Sequence, residues 1–429
     1  MMKNLSISKV QISIGNLYFI FLLITALFTR SFMGFRIYGF RLGELLVAFG
    51  LFSCFLYVLS QFYNKKLSNQ FFIIFNLFLA YFLIVIFLTN GSLVSLYTYK
   101  SSSFIWMIGY YFLTTIYFQK IKFSILHIIS AGSIPLIIYI FNSGNYPDFI
   151  INFFKANSDK FQFNKGSDVL IAFVFVCVLF GNGLIKKEYF MIYFNLIGFL
   201  LLPLFLTLSR ASFFSCILFI LMLNLNEYKF IISKGKFSFY IFLASILLFI
   251  ISSIRLAGLP ELESRSEEPI IFIQESITEV VERKNTNKFL SFYFCENRLC
   301  SEDNTLDWRL DIWSDLIVDQ INKEQLLIGF GFNEIFEIMK DPTAPGRLGR
   351  EGLNEHVHNH IFTIVGRMGL IGVFLYSLLQ FNLFAMNSTK KILLFIFPLF
   401  LVTMFDTTME SVQFPILYYT ILGFRTKVL

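Results

Sequence analysis

The sequence predicts an all-α polytopic membrane protein with about twelve transmembrane helices and one large loop of short helices on the outer side. Three observations carry that reading: composition, the recurrence of apolar runs, and the placement of positive charge between them. Of 429 residues, 56% are hydrophobic and only 15% charged, where a soluble domain carries about 25% charged residues. A chain this apolar lacks the polar surface to coat a globule, so a bilayer is the solvent that fits it. The 58 Phe residues read as filler for lipid-facing and interhelical volume.

Apolar runs of about 20 residues can cross a bilayer core as helices. Twelve are read, at roughly 12–29, 42–60, 70–89, 102–118, 123–142, 167–184, 188–207, 211–225, 237–254, 360–383, 391–405 and 411–424. The seventh and eighth are separated only by the turn 208–210, and the last is short. The chain divides into an N-terminal bundle over 1–254 with about nine spans, a large loop over 255–358, and about three spans over 359–429.

Orientation follows from lysine. With the N-terminus inside, the loops on that side hold Lys3 and Lys9, then Lys65/Lys66, Lys120/Lys122, Lys186/Lys187, Lys229/Lys234/Lys236, Lys390/Lys391 and Arg425/Lys427. Each short loop on that side carries at least two positive charges, as the positive-inside bias requires. Both termini are therefore expected in the cytoplasm and the large loop outside. The first apolar run lacks a small-residue cleavage pattern and is followed by Arg30, so it reads as an uncleaved span. The net charge of +7 sits in these short clusters. No basic face interleaved with aromatics appears on a soluble segment, which excludes nucleic acid as a partner.

Arginine behaves differently. Of 13 Arg, only Arg425 is cytoplasmic in this frame, while Arg30, Arg36, Arg41, Arg210, Arg255, Arg265, Arg283, Arg298, Arg309, Arg347 and Arg350 are outside. The guanidinium fork binds phosphate in bidentate fashion and stays protonated, so the set points to an anionic ligand at the outer face; ion pairing with the Glu-rich loop is the plainer reading of any single Arg. Arg210 lies in the tight turn Thr-Leu-Ser-Arg-Ala-Ser, and Arg367 lies about 10 Å along the tenth span. An intramembrane charge faces a cavity or a partner by default, with snorkelling to the headgroups as the alternative for Arg367.

The outer loop is too small and broken for an independent domain and is expected to pack over the mouth of the bundle. Residues 270–284 and 306–321 read as amphipathic helices. In the second, Leu310, Trp313, Leu316, Ile317 and Ile321 share a face opposite Asp311, Asp315 and Asp319, with Trp313 suited to a membrane interface. Gly329-Phe330-Gly331 makes a flexible break, and Pro342, Pro345 and Gly346 punctuate the approach to Arg347 and Arg350. Cys54, Cys177 and Cys216 fall in spans as apolar filler. Cys295 and Cys300 share the outer loop, where an oxidising compartment allows a local disulfide. Two cysteines alone do not complete the usual zinc set, so no metal is expected there.

Three of four His crowd into Glu355-His356-Val357-His358-Asn359-His360, at the junction of the loop and the tenth span. Imidazole suits proton transfer near neutral pH, and Asn359 is placed to cap the following helix. Gly366, Gly369 and Gly372 follow, small enough for close helix approach, and His360, Ile364 and Arg367 share a face. Two rival readings stand: a metal site completed by Glu355, for which no second ligand cluster appears, and a plain interfacial polar patch.

These residues resemble a family. His358-Asn359, nine residues, then Gly369-Leu370-Ile371-Gly372 is similar to the signature of bacterial O-antigen ligases. The wider ligase and polymerase superfamily tends to show a Ser-Arg turn, here Ser209-Arg210. It also tends to show an Arg and Trp on an amphipathic helix leading to Gly-x-Gly, here Arg309, Trp313 and Gly329/Gly331. The agreement covers about residues 200–375, and the motif recurs in polymerases, so it does not separate the two activities. The resemblance implies a GT-C-like glycosyltransferase of the bacterial inner membrane without a nucleotide-sugar donor, a metal or a cofactor. Its donor would be a glycan on undecaprenyl pyrophosphate. The acceptor would be lipid A–core for a ligase, or a second lipid-linked glycan for a polymerase. In that frame Arg210 and Arg309, assisted by Arg347 or Arg350 and with Arg367 as an extra cation, would hold the diphosphate. His358 would act as base with Glu355 in reserve, and Asn359, Gly369 and Gly372 would be structural.

Two other function classes were weighed. A flippase for lipid-linked oligosaccharides suits twelve spans, but no internal repeat with matched midplane charges is seen. A non-catalytic scaffold leaves the arginine partition and His358 unexplained.

Overall fold

The structure, a computed structural model, describes residues 2–66, 68–117, 123–257, 291–295, 298–341, 347, 355–386 and 392–424. Seven helices in it are long and apolar enough to cross a membrane: Ile14–Met33, Leu42–Tyr63, Gln70–Leu88, Ile125–Asn142, Lys187–Leu208, Lys236–Ala257 and His360–Ala385. Gly166–Leu179, Arg210–Asn226 and Ile392–Thr403 are shorter apolar helices at the sixth, eighth and eleventh runs read from sequence. The other two runs are shorter still: 102–118 divides into Ser103–Trp106 and Gly109–Tyr117, and the last becomes Gln413–Gly423. All twelve runs thus hold helix, but among the described residues seven helices have the length of a full crossing.

Burial explains why the short helices are short. Every residue of Gly166–Leu179 and of Gln413–Gly423 is buried, as expected of helices apolar all round. They form the centre, and longer helices such as Lys236–Ala257 present Phe242, Leu243 and Leu247 outward. Small residues set the close crossings: a Cβ on Gly109 would lie 2.1 Å from the Gly50 carbonyl oxygen.

The connections that share an end under alternating crossings meet in space. Arg30, in the last turn of the first helix, reaches Asp168 at 3.3 Å and the Thr407 carbonyl at 3.2 Å. Lys100 pairs with Glu355 at 2.6 Å, Ser167 donates to Asp406 at 2.6 Å, and Arg210 pairs with Asp303. At the other set of connections, Lys187 pairs with Glu227 and Lys234 with Glu188.

Over the first of these ends sits the described part of the large loop. A hairpin, Phe292–Cys295 with Arg298–Ser301, carries Cys295 and Cys300 joined as a disulfide, Cα atoms 5.9 Å apart. Asp303 then caps the helix Asn304–Asn322. Its buried stripe is Ile312, Trp313, Leu316 and Gln320, whereas Ile321 is exposed, so the inward face is rotated from the one read in the sequence. Two hydrogen bonds fix that rotation: Trp313 Nε1 donates to the Val357 carbonyl at 2.6 Å, and Gln320 Nε2 to that of Val365 at 2.8 Å. Trp313, stacked on Phe362 at 5.0 Å, is therefore a packing residue of the loop module. The 270–284 helix expected from sequence lies outside the described residues.

The tenth run also departs from expectation. It is not straight: His360–Ala385 breaks at Gly369, where φ is +63° and ψ −168°. A straight helix would put His360 and Tyr376 about 24 Å apart, yet His360 Nε2 lies 3.0 Å from the Tyr376 hydroxyl. The segment 360–368 is thus folded against the rest. The freed backbone groups are met by the Gly-x-Gly loop: Leu370 N–H donates to Leu326 O at 3.0 Å, Phe330 N–H to Gly366 O at 2.8 Å and Gly331 N–H to Arg367 O at 3.0 Å. Non-helical backbone at membrane depth is stable only where protein satisfies it in this way. Gly329 and Gly369, both at positive φ, are where the two chains touch: a Cβ on either would lie about 2.2–2.5 Å from the other strand's backbone.

Candidate functional site

A charged cluster forms where these connections converge. Lys165 and Asp168 open the central helix, with Asp168 accepting from the Lys165 N–H at 3.3 Å and from Gln413 Nε2 at 3.0 Å. The Ser209–Arg210 turn packs on the same spot, since a Cβ on Gly166 would lie 2.8 Å from Ser209 Cβ. Arg210 reaches across to Asp303, the cap of the helix that carries Arg309. Arg309 is half-buried, and its Nε has no hydrogen-bond partner among the described residues. Asp406, in the connection before the last helix, sits among Lys165, Arg30, Ser167 and Arg309. Burial works against its charge, but those neighbours outweigh it and hold the carboxyl below its ordinary value.

His358 stands over this cluster, in the left-handed region with φ +54°, its ring 5.1 Å from that of Trp308. Burial first, and the Arg309 guanidinium second, push its imidazole down to about 4. At neutral pH the ring is therefore neutral, with one nitrogen able to accept a proton. Its placement is fixed from both sides. Val357 is fully buried and held by Trp313, and Asn359 caps the next helix by accepting from the N–H groups of Ile361 at 2.9 Å and Phe362 at 3.2 Å.

In this cluster four cations, Arg30, Lys165, Arg210 and Arg309, face three carboxylates, Asp168, Asp303 and Asp406. The excess is positive, and guanidinium groups dominate it. A guanidinium can grip an oxyanion through two parallel N–H bonds.

The remaining residues singled out in the sequence go elsewhere. Arg347 is buried and committed to Asp311 at 2.5 Å, to Asp315, and to the Ile338 carbonyl at 2.9 Å. Arg367 is buried beneath the Gly-x-Gly loop, donating to Gly331 O at 3.1 Å, Glu334 O at 2.6 Å and the Tyr97 hydroxyl at 3.0 Å, with the Phe336 ring 4.1 Å away. Both read as braces of the loop module. Arg350 lies outside the described residues. Glu355 and Arg367 line a separate pocket together with Tyr97, Lys100, His356 and Glu410. Gly369 and Gly372 make the helix break; a Cβ on Gly372 would lie 2.1 Å from Met368 Cβ.

Residues 194–377 match the family described as O-antigen ligase. This match, over less than half of the chain, supports the O-antigen ligase and polymerase superfamily. No curated protein and no solved structure matches it. The matched segment holds Arg210, Asp303, Arg309, His358 and both motif glycines, and the family supports a membrane-embedded polysaccharide ligase or polymerase acting on lipid-linked polysaccharide.

Arg30, Lys165, Asp168 and Asp406 complete the cluster, and Glu410 lines the separate pocket, from outside the match; sequence reasoning missed most of them. One signal was present: Asp406 and Glu410 are the only acidic residues after Glu355, and an isolated acidic pair between two apolar runs is a functional hypothesis in its own right.

Proposed function

We propose that this protein is a metal-independent, inverting glycosyltransferase of the O-antigen ligase type. It transfers a glycan from undecaprenyl pyrophosphate to an acceptor hydroxyl at the outer face of the bacterial inner membrane. The observation that carries the reading is the placement of the motif residue His358 beside Trp308 and Arg309, at a cluster of Arg30, Lys165, Arg210 and Arg309 with excess positive charge.

The chemistry is a single displacement. The acceptor oxygen attacks the anomeric carbon as the bond from that carbon to the diphosphate oxygen breaks, and the electron pair leaves with the diphosphate. In this reading Arg309 and Arg210, with Lys165 and Arg30 in the same cluster, stabilise that growing charge. His358 takes the acceptor proton, and Glu355 is the reserve base. With Arg347 and Arg367 engaged in the loop module, the grip on diphosphate falls to Arg210 and Arg309.

The frame has both termini cytoplasmic, twelve crossings and a periplasmic loop. It is supported by the lysine partition and by the meeting of alternate connections at one end. Lipid A–core is the proposed acceptor of a ligase, and a second lipid-linked repeat that of a polymerase. Expression in two bacterial deletion strains, one lacking its ligase and one its polymerase, separates these on a lipopolysaccharide gel. Long chains capped onto core in the first strain support a ligase. A ladder restored from single-repeat material in the second makes it a polymerase instead. Equal rescue by the His358→Ala variant would remove His358 from the reaction.

A further inference from the structure

A buried chain of side chains next to His358 takes no part in the chemistry above. His360 opens the folded-back segment 360–368, and its ring is held at both nitrogens. Nδ1 lies 3.0 Å from Glu410 Oε1, and Nε2 lies 3.0 Å from the Tyr376 hydroxyl. The His360 and Glu410 side chains are 2% and 6% exposed, and Tyr376 is buried. A carboxylate oxygen only accepts, so Nδ1–H donates to Glu410; in a neutral ring Nε2 then accepts from the tyrosine hydroxyl. The Phe104 ring packs edge-on against the imidazole at 5.3 Å.

The two partners of His360 come from separate parts of the bundle. Tyr376 lies past the Gly369 break, in the second part of the same helix. Glu410 lies in the connection between Ile392–Thr403 and Gln413–Gly423, four residues after Asp406. That connection therefore acts at two places. Through Asp406 it meets Lys165, Arg30 and Arg309. Through Glu410 it holds the segment that begins two residues after His358. The bonds from Trp313 to Val357 and from Gln320 to Val365 tie the same stretch to the loop module instead. The His360 bonds tie it to the bundle, and to the element that carries a member of the cation cluster.

We propose that Tyr376, His360 and Glu410 form a clamp that sets the position of His358 relative to the cation cluster, which makes Glu410 and Tyr376 positioning residues for glycosyl transfer. The role of His358 as base rests on the glycosyl-transfer reading above; the clamp does not. Transfer needs the base and the groups that meet the diphosphate at a fixed separation, and a misplacement of about 1 Å can cost about a hundredfold in rate. Asp406 and Glu410, on one short connection, supply that fixed separation.

The test follows His358 itself, by NMR of full-length protein in detergent with isotope-labelled histidine, the four imidazoles being assigned by single variants. Burial first, then Arg309, with His356 and Lys165 adding to it, push this ring down to about 4 against the pull of Asp406. Tyr376→Phe removes one hydroxyl and keeps the ring packing, and Glu410→Ala removes the other end of the clamp. Both should free the segment, admit water to the imidazole and move its titration up towards about 6.5. Glu410→Gln keeps an oxygen that accepts from Nδ1–H and should restore the low value. Asn224→Ala breaks a hydrogen bond to Asn195, 2.9 Å long, towards the other end of the bundle. It should leave the His358 titration in place, however far it lowers the melting temperature. In transfer assays Tyr376→Phe and Glu410→Ala should lower kcat about ten- to a hundredfold with KM for the lipid-linked donor little changed. The proposal is overturned if Tyr376→Phe and Glu410→Ala leave the His358 titration where it is, if Asn224→Ala moves it equally, or if Glu410→Gln behaves like Glu410→Ala. A titration that shifts as expected, in a protein that shows no glycosyl transfer, would support the clamp and count against the catalytic reading alone.

Discussion

Replacing Gly369 by Ala isolates the physical reason for the Gly-x-x-Gly motif. At φ +63° and ψ −168° an L side chain is strained by about 1–3 kcal/mol. The added Cβ would also lie 2.2 Å from both the carbonyl carbon and oxygen of Leu327, so the 326–328 turn must move. That movement breaks the bonds from Leu370 N–H to Leu326 O and from Ile371 N–H to Leu327 O, at 3.0 and 3.3 Å, each worth about 1 kcal/mol. The total is about 3–5 kcal/mol, a large share of the roughly 5–15 kcal/mol that holds a typical domain. Gly39 is the control: it has φ +86° but no atom within 4 Å of its would-be Cβ, so Gly39→Ala should lose only about 1–2 kcal/mol. Thermal unfolding of the purified variants in one detergent measures both. If Gly369→Ala melts no lower than Gly39→Ala, the helix break is not held by the loop packed on it.

Three further outcomes are expected. Arg210→Ala should abolish transfer and Arg210→Lys restore little, because a lysine cannot reproduce the guanidinium fork; full activity in the alanine variant would remove Arg210 from the site. His358 gives a pH signature: with its folded value near 4 and an unfolded value near 6.5, the unfolded chain binds the extra proton first. Its contribution to stability is therefore lost as pH falls from about 6.5 towards about 4. The acid limb of kcat/KM should lie near the lower figure, and a limb near 6.5 in the unaltered protein would contradict the burial argument. A cysteine introduced at Glu302 should label with an impermeant reagent from outside the membrane; labelling only after permeabilisation would invert the frame.

The sequence made some features legible because local chemistry decides them. Each of the twelve apolar runs holds helix, seven of them at crossing length among the described residues, Asn359 caps as its residue type suggests, and the three free cysteines are buried. Contacts set by distant segments were hidden. Nothing in the sequence singles out Lys165, which the central helix brings to Asp406. The sequence points to Arg347 and Arg367 as cations for a diphosphate, but nothing in it says that carboxylates and carbonyls of the loop module engage them. Gly369 reads as a small packing residue when only its spacing is visible, and its positive φ comes from the loop pressed against it. The rotated face of the Asn304–Asn322 helix has the same origin: Gln320, polar by type, is buried because the Val365 carbonyl waits opposite.

The most direct test of the central claim is reconstitution. The purified protein, in vesicles with an undecaprenyl-pyrophosphate-linked glycan, an acceptor glycolipid and a metal chelator, is assayed for glycan transfer and for release of the lipid diphosphate. The expected result is equal release and transfer in the unaltered protein, both lost in Arg309→Ala and in His358→Ala. Undiminished turnover in those two variants, or no transfer from any lipid-diphosphate donor with either acceptor, would contradict the account.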